Sequence, residues 1–203
     1  MIKKYVLFLL LFSIPLILLA QENDKQFQIN DESTFYFPGG IYSNFIISWY
    51  AKHLKAMKEP SLLADSNKPE WQSYRFLWLR TFHHPVAIRL NVKNDGTGEL
   101  ISKVTSGAGG YEPGGLVINR TTSLSPSQVS LFLKALDKAD FWNMPSKGGK
   151  SGNDGAQWII EGVKNQKYHL VDRWSPENNA FKDAAILLTQ LSDLTDDEIG
   201  DKY

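Results

Sequence analysis

The stretch AQWIIEGVKNQKYHLVDRW (156–174) decides the fold class. Two runs rich in β-branched and aromatic residues, 156–163 and 167–174, lie on either side of the polar residues 164–166. Two such runs joined by a short polar segment are typical of antiparallel strands and their connecting turn. We therefore predict a β-hairpin here, with an antiparallel sheet built around it.

A second hairpin precedes this one in the chain. Apolar and polar residues alternate over 86–92 and again over 100–104, with the turn sequence Asn94–Gly98 between them. Alternation of this kind is the pattern of strands with one buried face. Further strands are predicted at 74–79 and 116–121, which extend the sheet beyond the two hairpins.

Three amphipathic segments predict helices. Apolar side chains recur at helical spacing over 42–57. The second helix follows Ser125, which forms a capping box with Gln128, and Ser175–Pro176 is predicted to open the third. Hairpins interleaved with helices indicate an α+β fold: an antiparallel sheet of two hairpins plus extra strands, with about three helices mainly on one face.

The amino terminus has the pattern of a secretory signal peptide. Residues 1–20 combine two lysines, an apolar run too short for a typical membrane span, and a small residue before Gln21. We predict a polar lead-in at 21–40, a single domain at 41–192 and a solvated acidic tail at 193–203. The protein is therefore expected to be exported, periplasmic or secreted, with no membrane span after signal cleavage.

The composition excludes several classes of protein. The chain has 203 residues, with 22 Lys and Arg balanced by 22 Asp and Glu, and no Cys. Balanced charge argues against a nucleic-acid-binding protein, and the lack of Cys excludes thiolate zinc sites, iron–sulfur clusters and disulfides. His83 and His84 are adjacent, so their side chains would diverge on a strand and we predict no metal site.

Two catalytic candidates come from the register of the second hairpin. A three-residue turn at 164–166 would place Glu161 directly opposite His169, on one face of the sheet. A carboxylate beside an imidazole favours the protonated ring, so this pair is a candidate for acid–base chemistry. Asp154, in the glycine-rich segment before the hairpin, is a third candidate.

The same face is predicted to collect positive charge. A five-residue turn in the first hairpin would place Arg89 opposite Lys103, and Arg173 would lie on the same face if the hairpins share a sheet. Like charges directly opposite are unfavourable unless an anion or a carboxylate lies between them. We therefore expect either a site for a carboxylate, phosphate or acidic sugar, or a plain solvated outer face.

A second candidate binding site is the glycine-rich segment 107–115. It carries Tyr111 and Glu112, and an aromatic ring with an acid on a loop suits recognition of sugars or peptides. The alternative is that its glycines only shape turns. The nearby nucleotide-binding and serine-hydrolase motifs are incomplete, since Gly148–Ser151 lacks the first glycine of a phosphate-binding loop, and we predict no cofactor.

The segment 154–176, together with 82–90 and 107–114, resembles an uncharacterised group of exported bacterial proteins. The resemblance implies an exported bacterial setting and no particular activity. The leading hypothesis is a non-catalytic binding module of the cell envelope or secreted fraction that takes a small anionic or carbohydrate ligand. The alternatives are a hydrolase acting on the envelope or on carbohydrate, and a structural partner of another envelope protein that docks through 42–57.

Overall fold

The computed structural model describes residues 36–202 and has the predicted α+β fold. Seven strands form one sheet in the order β4-β3-β2-β1-β6-β7-β5, antiparallel except for the β5–β7 pair. The strands are β1 (Gln72–Arg80), β2 (Val86–Val92), β3 (Gly98–Thr105), β4 (Leu116–Leu124), β5 (Lys147–Gly148), β6 (Ala156–Lys164) and β7 (Lys167–Trp174). The helices are α1 (Asn44–Ala56), α2 (Leu62–Asp65), α3 (Pro126–Lys138), α4 (Ala180–Leu191) and α5 (Asp196–Ile199).

Helices cover the central strands on both faces. On one face, α3 and α4 pack on an aromatic core that includes Phe76, Trp78 and Trp158. On the other face, α1 packs on a smaller apolar cluster from β1, β2, β6 and β7. Central strands buried on both faces explain why residues 76–79 of β1 are continuously apolar instead of alternating. We call these the α3/α4 face and the α1 face.

Helix starts follow their capping residues. The predicted capping box of α3 is present, with the Ser125 and Gln128 side chains each bonded to the other's backbone N–H. The third predicted helix starts later than expected, because Asn179, and not Ser175, is the N-cap of α4. Ser175 instead adopts a left-handed conformation, φ 36°, and its hydroxyl accepts a hydrogen bond from Ala156 N–H.

The predicted register of the second hairpin is wrong by one residue. The turn between β6 and β7 contains only Asn165 and Gln166, both left-handed with φ of 51° and 60°. Glu161 therefore pairs with Leu170, and Gly162 pairs with His169. Because neighbouring residues of a strand point to opposite faces, Glu161 lies on the α1 face and His169 on the α3/α4 face.

The register of the first hairpin is wrong by two residues. Arg89 pairs with Ile101, and Lys103 pairs with Ala87, so the two cations are not directly opposite. A shift of two residues preserves the side to which every residue points. Arg89 and Lys103 therefore still lie on one face, the α1 face, as predicted.

Several predictions fall at the ends of the chain. The signal peptide (1–20) and most of the lead-in (21–40) lie outside the described residues, but Phe37 is buried in the α1-face core. The acidic segment is not simply a solvated tail, because α5 forms and Ile199 is buried against the α3/α4-face core. Within residues 36–202, no helix is long and apolar enough to cross a membrane.

Candidate functional site

Two of the three predicted basic site residues, Arg89 and Lys103, belong to a buried ion cluster that also contains Glu59, Arg75 and Glu161. Glu59, which follows α1, places its carboxylate between the cations: Oε2 lies 2.8 Å from Arg89 Nε, and Oε1 lies 2.9 Å from Lys103 Nζ. The carboxylate predicted to separate Arg89 and Lys103 is thus supplied by the protein itself. These two residues are not a ligand site, because their side chains are buried and already paired.

Arg75 links the two carboxylates of the cluster. Its guanidinium donates to Glu161 Oε2 at 2.8 and 2.5 Å, and lies 3.4 Å from Glu59 Oε2. Burial alone would raise the pKa of Glu59, but the charges of Arg75 and Arg89 lower it below its ordinary value. Burial raises the pKa of Arg75's partner Glu161, although the guanidinium opposes that rise. Through these ion pairs and hydrogen bonds, the buried cluster holds the α1–β1 connection against the sheet.

The catalytic candidates are not brought together. Glu161 is fully buried within the ion cluster, whereas His169 lies on the opposite face, with its Nε2 3.0 Å from the carbonyl oxygen of Met144. Phe141 and Trp142 pack against the His169 ring, and burial lowers its pKa. The predicted Glu161–His169 pair is therefore wrong. The shorter turn shifts the register by one residue, so the two side chains point to opposite faces of the sheet.

The remaining predicted site residues also lie apart. Arg173 is on the α3/α4 face and donates to the carbonyl oxygens of Pro145 and Asp172, at 2.8 and 2.7 Å. Asp154 is exposed on its loop. Tyr111 is 59% exposed, and the exposed Glu112 pairs with Lys52 of α1 at 2.6 Å. The segment 107–115 thus contacts α1 through Glu112.

An open cleft between α1 and the glycine-rich segment after β5 is the strongest candidate site. It measures about 260 Å³, and Asp172 of β7 is the only carboxylate among the described residues that line it. We call it the Asp172 cleft. Its lining comprises Tyr42, Ile46, Tyr50, Lys147, Gly148, Gly149, Lys150, Ser151, Gln157, Asp172 and Trp174.

The two carboxylate oxygens of Asp172 differ in their hydrogen bonding. Oδ2 accepts hydrogen bonds from the hydroxyls of Tyr42 and Tyr50, at 2.9 and 3.2 Å. Oδ1 is buried and has no hydrogen-bond partner among the residues that the structure describes. The side-chain oxygen of Gln157, which lines the same cleft, is likewise buried and has no hydrogen-bond partner among the described residues. Buried acceptors without a partner are uncommon in folded proteins, and two of them in one cleft favour a ligand that donates hydrogen bonds.

The environment of the cleft raises the pKa of the Asp172 carboxyl towards neutral pH. Burial raises its pKa to about 6, although the Tyr42 and Tyr50 hydroxyls favour the carboxylate. The same burial, together with the nearby carboxylate, raises the pKa of both tyrosines, so their hydroxyls remain donors. Lys147 contributes positive charge at the rim, with its Nζ 5.6 Å from the centre of the Tyr42 ring.

Local structure explains how these residues meet. Tyr42 immediately precedes Ser43, the N-cap of α1, and Tyr50 lies inside that helix. On the other side, Lys147 of β5 pairs in parallel with Asp172, and Asp172 N–H donates to the carbonyl oxygen of Ser146 at 2.8 Å. The short strand β5 therefore brings the lysine-bearing segment to the edge where Asp172 lies.

Asp172 is not among the site residues predicted from the sequence. The assumed three-residue turn placed Asp172 opposite Trp158, whereas the structure pairs it with Ile159 on the α1 face. A signal was present, because Asp172 is an acid in a strand whose neighbours on the same face, Leu170 and Trp174, are large and apolar. A lone acid on an apolar face is costly to bury and points to a specific role.

Among residues 36–202, no group of three or more His, Asp or Glu side chains is arranged so that it could hold a metal ion. In comparisons with known proteins, no family model matches the chain and no curated protein resembles it closely enough to count as a match.

Proposed function

We propose that this protein is an exported, non-catalytic binding module that holds an acidic sugar in the Asp172 cleft. One observation carries the proposal: a buried carboxylate that uses one oxygen to accept two tyrosine hydroxyls and leaves the other without a partner at a cleft. A ligand hydroxyl is the natural donor for that second oxygen.

Several features support a sugar over a simple anion. Sugar hydroxyls can donate to Asp172 and to the Gln157 oxygen, and the rings of Tyr42 and Trp174 offer apolar surface for the carbon–hydrogen face of a pyranose. A simple anion would instead be repelled by the Asp172 carboxylate above its pKa of about 6.

Two lysines support an acidic substituent on that sugar. Lys147 and Lys150 line the same cleft as Asp172, on either side of Gly148 and Gly149. Lys150 pairs with Glu177 at 2.9 Å, but both partners are exposed, and an exposed pair is weak enough to be exchanged for a ligand carboxylate.

A thermal-shift screen of the mature protein tests the proposal. The panel consists of glucose, N-acetylglucosamine, glucuronate, galacturonate and short oligomers of these uronates. A uronate present at 100 times its Kd should stabilise the fold by about 2.7 kcal/mol and raise the Tm by several degrees. The Asp172→Asn variant should lose this shift, and Asp154→Asn, which alters an exposed acid outside the cleft, should retain it. A panel without any shift, or an equal shift in Asp172→Asn, would refute the proposed ligand site.

Export is the second part of the proposal. It rests on the signal-like pattern of residues 1–20 and on a Cys-free composition. Fractionation of the source cells should find the protein outside the cytoplasm, and its amino-terminal sequence should begin at Gln21. A cytoplasmic protein that retains Met1 would contradict this part and leave the cleft untouched.

A second candidate function is docking on another envelope protein through the outer side of α1. Phe45 is 66% exposed, and its ring centre lies 6.2 Å from that of the half-buried Trp49. Exposed aromatic pairs of this kind often mark contact surfaces. Recovery of a partner from the envelope fraction should then be lost with Phe45→Glu and kept with Ile186→Glu on α4. The hydrolase alternative relied on His169, Glu161 and Asp154, which the structure separates.

A further inference from the structure

Strand β4 is an edge strand without the features that usually prevent edge strands from pairing. It is nine residues long, contains no proline, glycine or lysine, and carries only one charged residue, Arg120. The opposite edge of the sheet ends in β5, which has two residues. Natural sheets protect their edges by short strands, charges, prolines or covering elements. The two edges of this sheet are therefore protected unequally.

The outer side of β4 has unused backbone groups. β4 pairs only with β3, so the N–H and C=O groups that point away from β3 have no strand partner among residues 36–202. Its side chains alternate between half-buried and exposed, and Val117 is 60% exposed. The strand is thus a template for one more antiparallel strand.

The sequence of β4 is complementary to itself in one register. A two-fold axis through Arg120 would place two arginines directly opposite, which is unfavourable. An axis through Asn119 instead places Val117 opposite Thr121 and Ile118 opposite Arg120, and separates the two charges. It also covers Val117 with a β-branched partner, whereas an axis through Thr121 would leave Val117 outside the paired segment. Arg120 remains free to keep its ion pair with Glu198, at 2.8 Å, on the α3/α4 face.

We propose that two copies of this chain associate by pairing their β4 strands antiparallel across a two-fold axis at Asn119. The product is a continuous fourteen-stranded sheet, twice the seven strands of one copy. A two-fold axis closes the assembly, because each copy offers one long edge and that edge is then used. An interface of one strand from each copy is small, so we expect a weak and concentration-dependent dimer. The Asp172 cleft lies near the other edge and is not part of this surface.

The absence of Cys from the chain makes disulfide trapping a sharp test. Opposed residues of antiparallel strands have Cα atoms about 4.5 or 5.5 Å apart, within the range that a disulfide spans. On mild oxidation with copper phenanthroline, Asn119→Cys should form about tenfold more disulfide dimer than Leu131→Cys, a control at an exposed position of α3. Val117→Cys and Thr121→Cys should each stay monomeric alone and cross-link when mixed.

Each alternative arrangement gives a different result. Efficient dimerisation of Thr121→Cys or Arg120→Cys alone would overturn the Asn119 register. Cross-linking of Asn119→Cys no greater than that of Leu131→Cys, with a monomer in sedimentation at millimolar concentration, would overturn self-association. In that case the edge is left to a different strand, such as a partner peptide or residues 21–35 of the same chain.

Discussion

Asp172 is the residue on which the account of the binding site depends. Burial raises its pKa from 3.8 to about 6, because the carboxylate has lost water and gained only two tyrosine hydroxyls. The folded protein therefore takes up a proton more readily at this group than the unfolded chain does. Ionised Asp172 destabilises the fold above pH 6, and this cost disappears as the pH falls from 6 towards 4.

This linkage predicts a pH-dependent difference between the natural protein and Asp172→Asn. The natural protein should gain about 2 kcal/mol relative to the variant between pH 7 and pH 4. Each unit of pKa shift corresponds to about 1.36 kcal/mol, and at pH 4 the carboxyl of the unfolded chain is still partly ionised. Urea unfolding of both proteins at the two pH values measures the change. A difference that stays constant with pH would show that the Asp172 carboxyl is not buried in the folded state.

Glu59 holds the buried ion cluster together, and removing its charge should be costly. In Glu59→Gln, Arg75 would keep the carboxylate of Glu161, whereas Arg89 and Lys103 would lose the carboxylate with which they pair. We expect a loss of about 3 to 5 kcal/mol in the free energy of unfolding, because an uncompensated buried charge remains.

The matched control for this substitution is Glu177→Gln, which removes a carboxylate from the exposed pair with Lys150. Its effect should be far smaller than that of Glu59→Gln, since water screens such pairs. Chemical unfolding at pH 7 compares the two variants. Equal losses would mean that the cluster contributes no more than a surface ion pair.

At the scale of single elements, the turn between β6 and β7 determines which side chains meet. Asn165 and Gln166 are both left-handed, which is the geometry of a two-residue type I′ turn. Gln is a poor residue for this conformation, whereas glycine adopts it without strain.

Gln166→Gly should therefore stabilise the protein by about 0.5 to 1 kcal/mol. Gln166→Ala serves as the control, because it also loses the side-chain hydrogen bond to the Asn67 carbonyl oxygen but keeps a Cβ at φ 60°. Thermal unfolding of both variants distinguishes them. Stabilisation by Ala as well, or destabilisation by Gly, would argue against this turn and against the register that it sets.

The two hairpins show what could be predicted from the sequence and what could not. Alternation located β2, β3, β6 and β7, but it does not say whether Lys164 belongs to the strand or to the turn. An error of two residues in the first hairpin left Arg89 and Lys103 on one face. An error of one residue in the second wrongly paired Glu161 with His169 and hid Asp172. A carboxylate from a distant loop, Glu59, had no local signal.

At the scale of the whole molecule, the sheet separates two hydrophobic cores, one on each of its faces. The helices were predicted mainly on one face; in the structure α3 and α4 cover one face, and α1 packs against the opposite face. Both the ion cluster and the Asp172 cleft lie on the α1 face. The tyrosines that bond to Asp172 therefore come from α1 and from the residue just before its N-cap, and the acid comes from the sheet.

A titration of the ¹⁵N-labelled mature protein with glucuronate and with oligouronates, followed by amide chemical shifts, tests the central claim most directly. We predict saturable shifts at Tyr42, Tyr50, Asp172 and the glycines of 147–151, and their loss in Asp172→Asn. Absence of binding at millimolar ligand, or shifts centred on Phe45 and Tyr111 instead, would contradict the assignment of the Asp172 cleft as the ligand site.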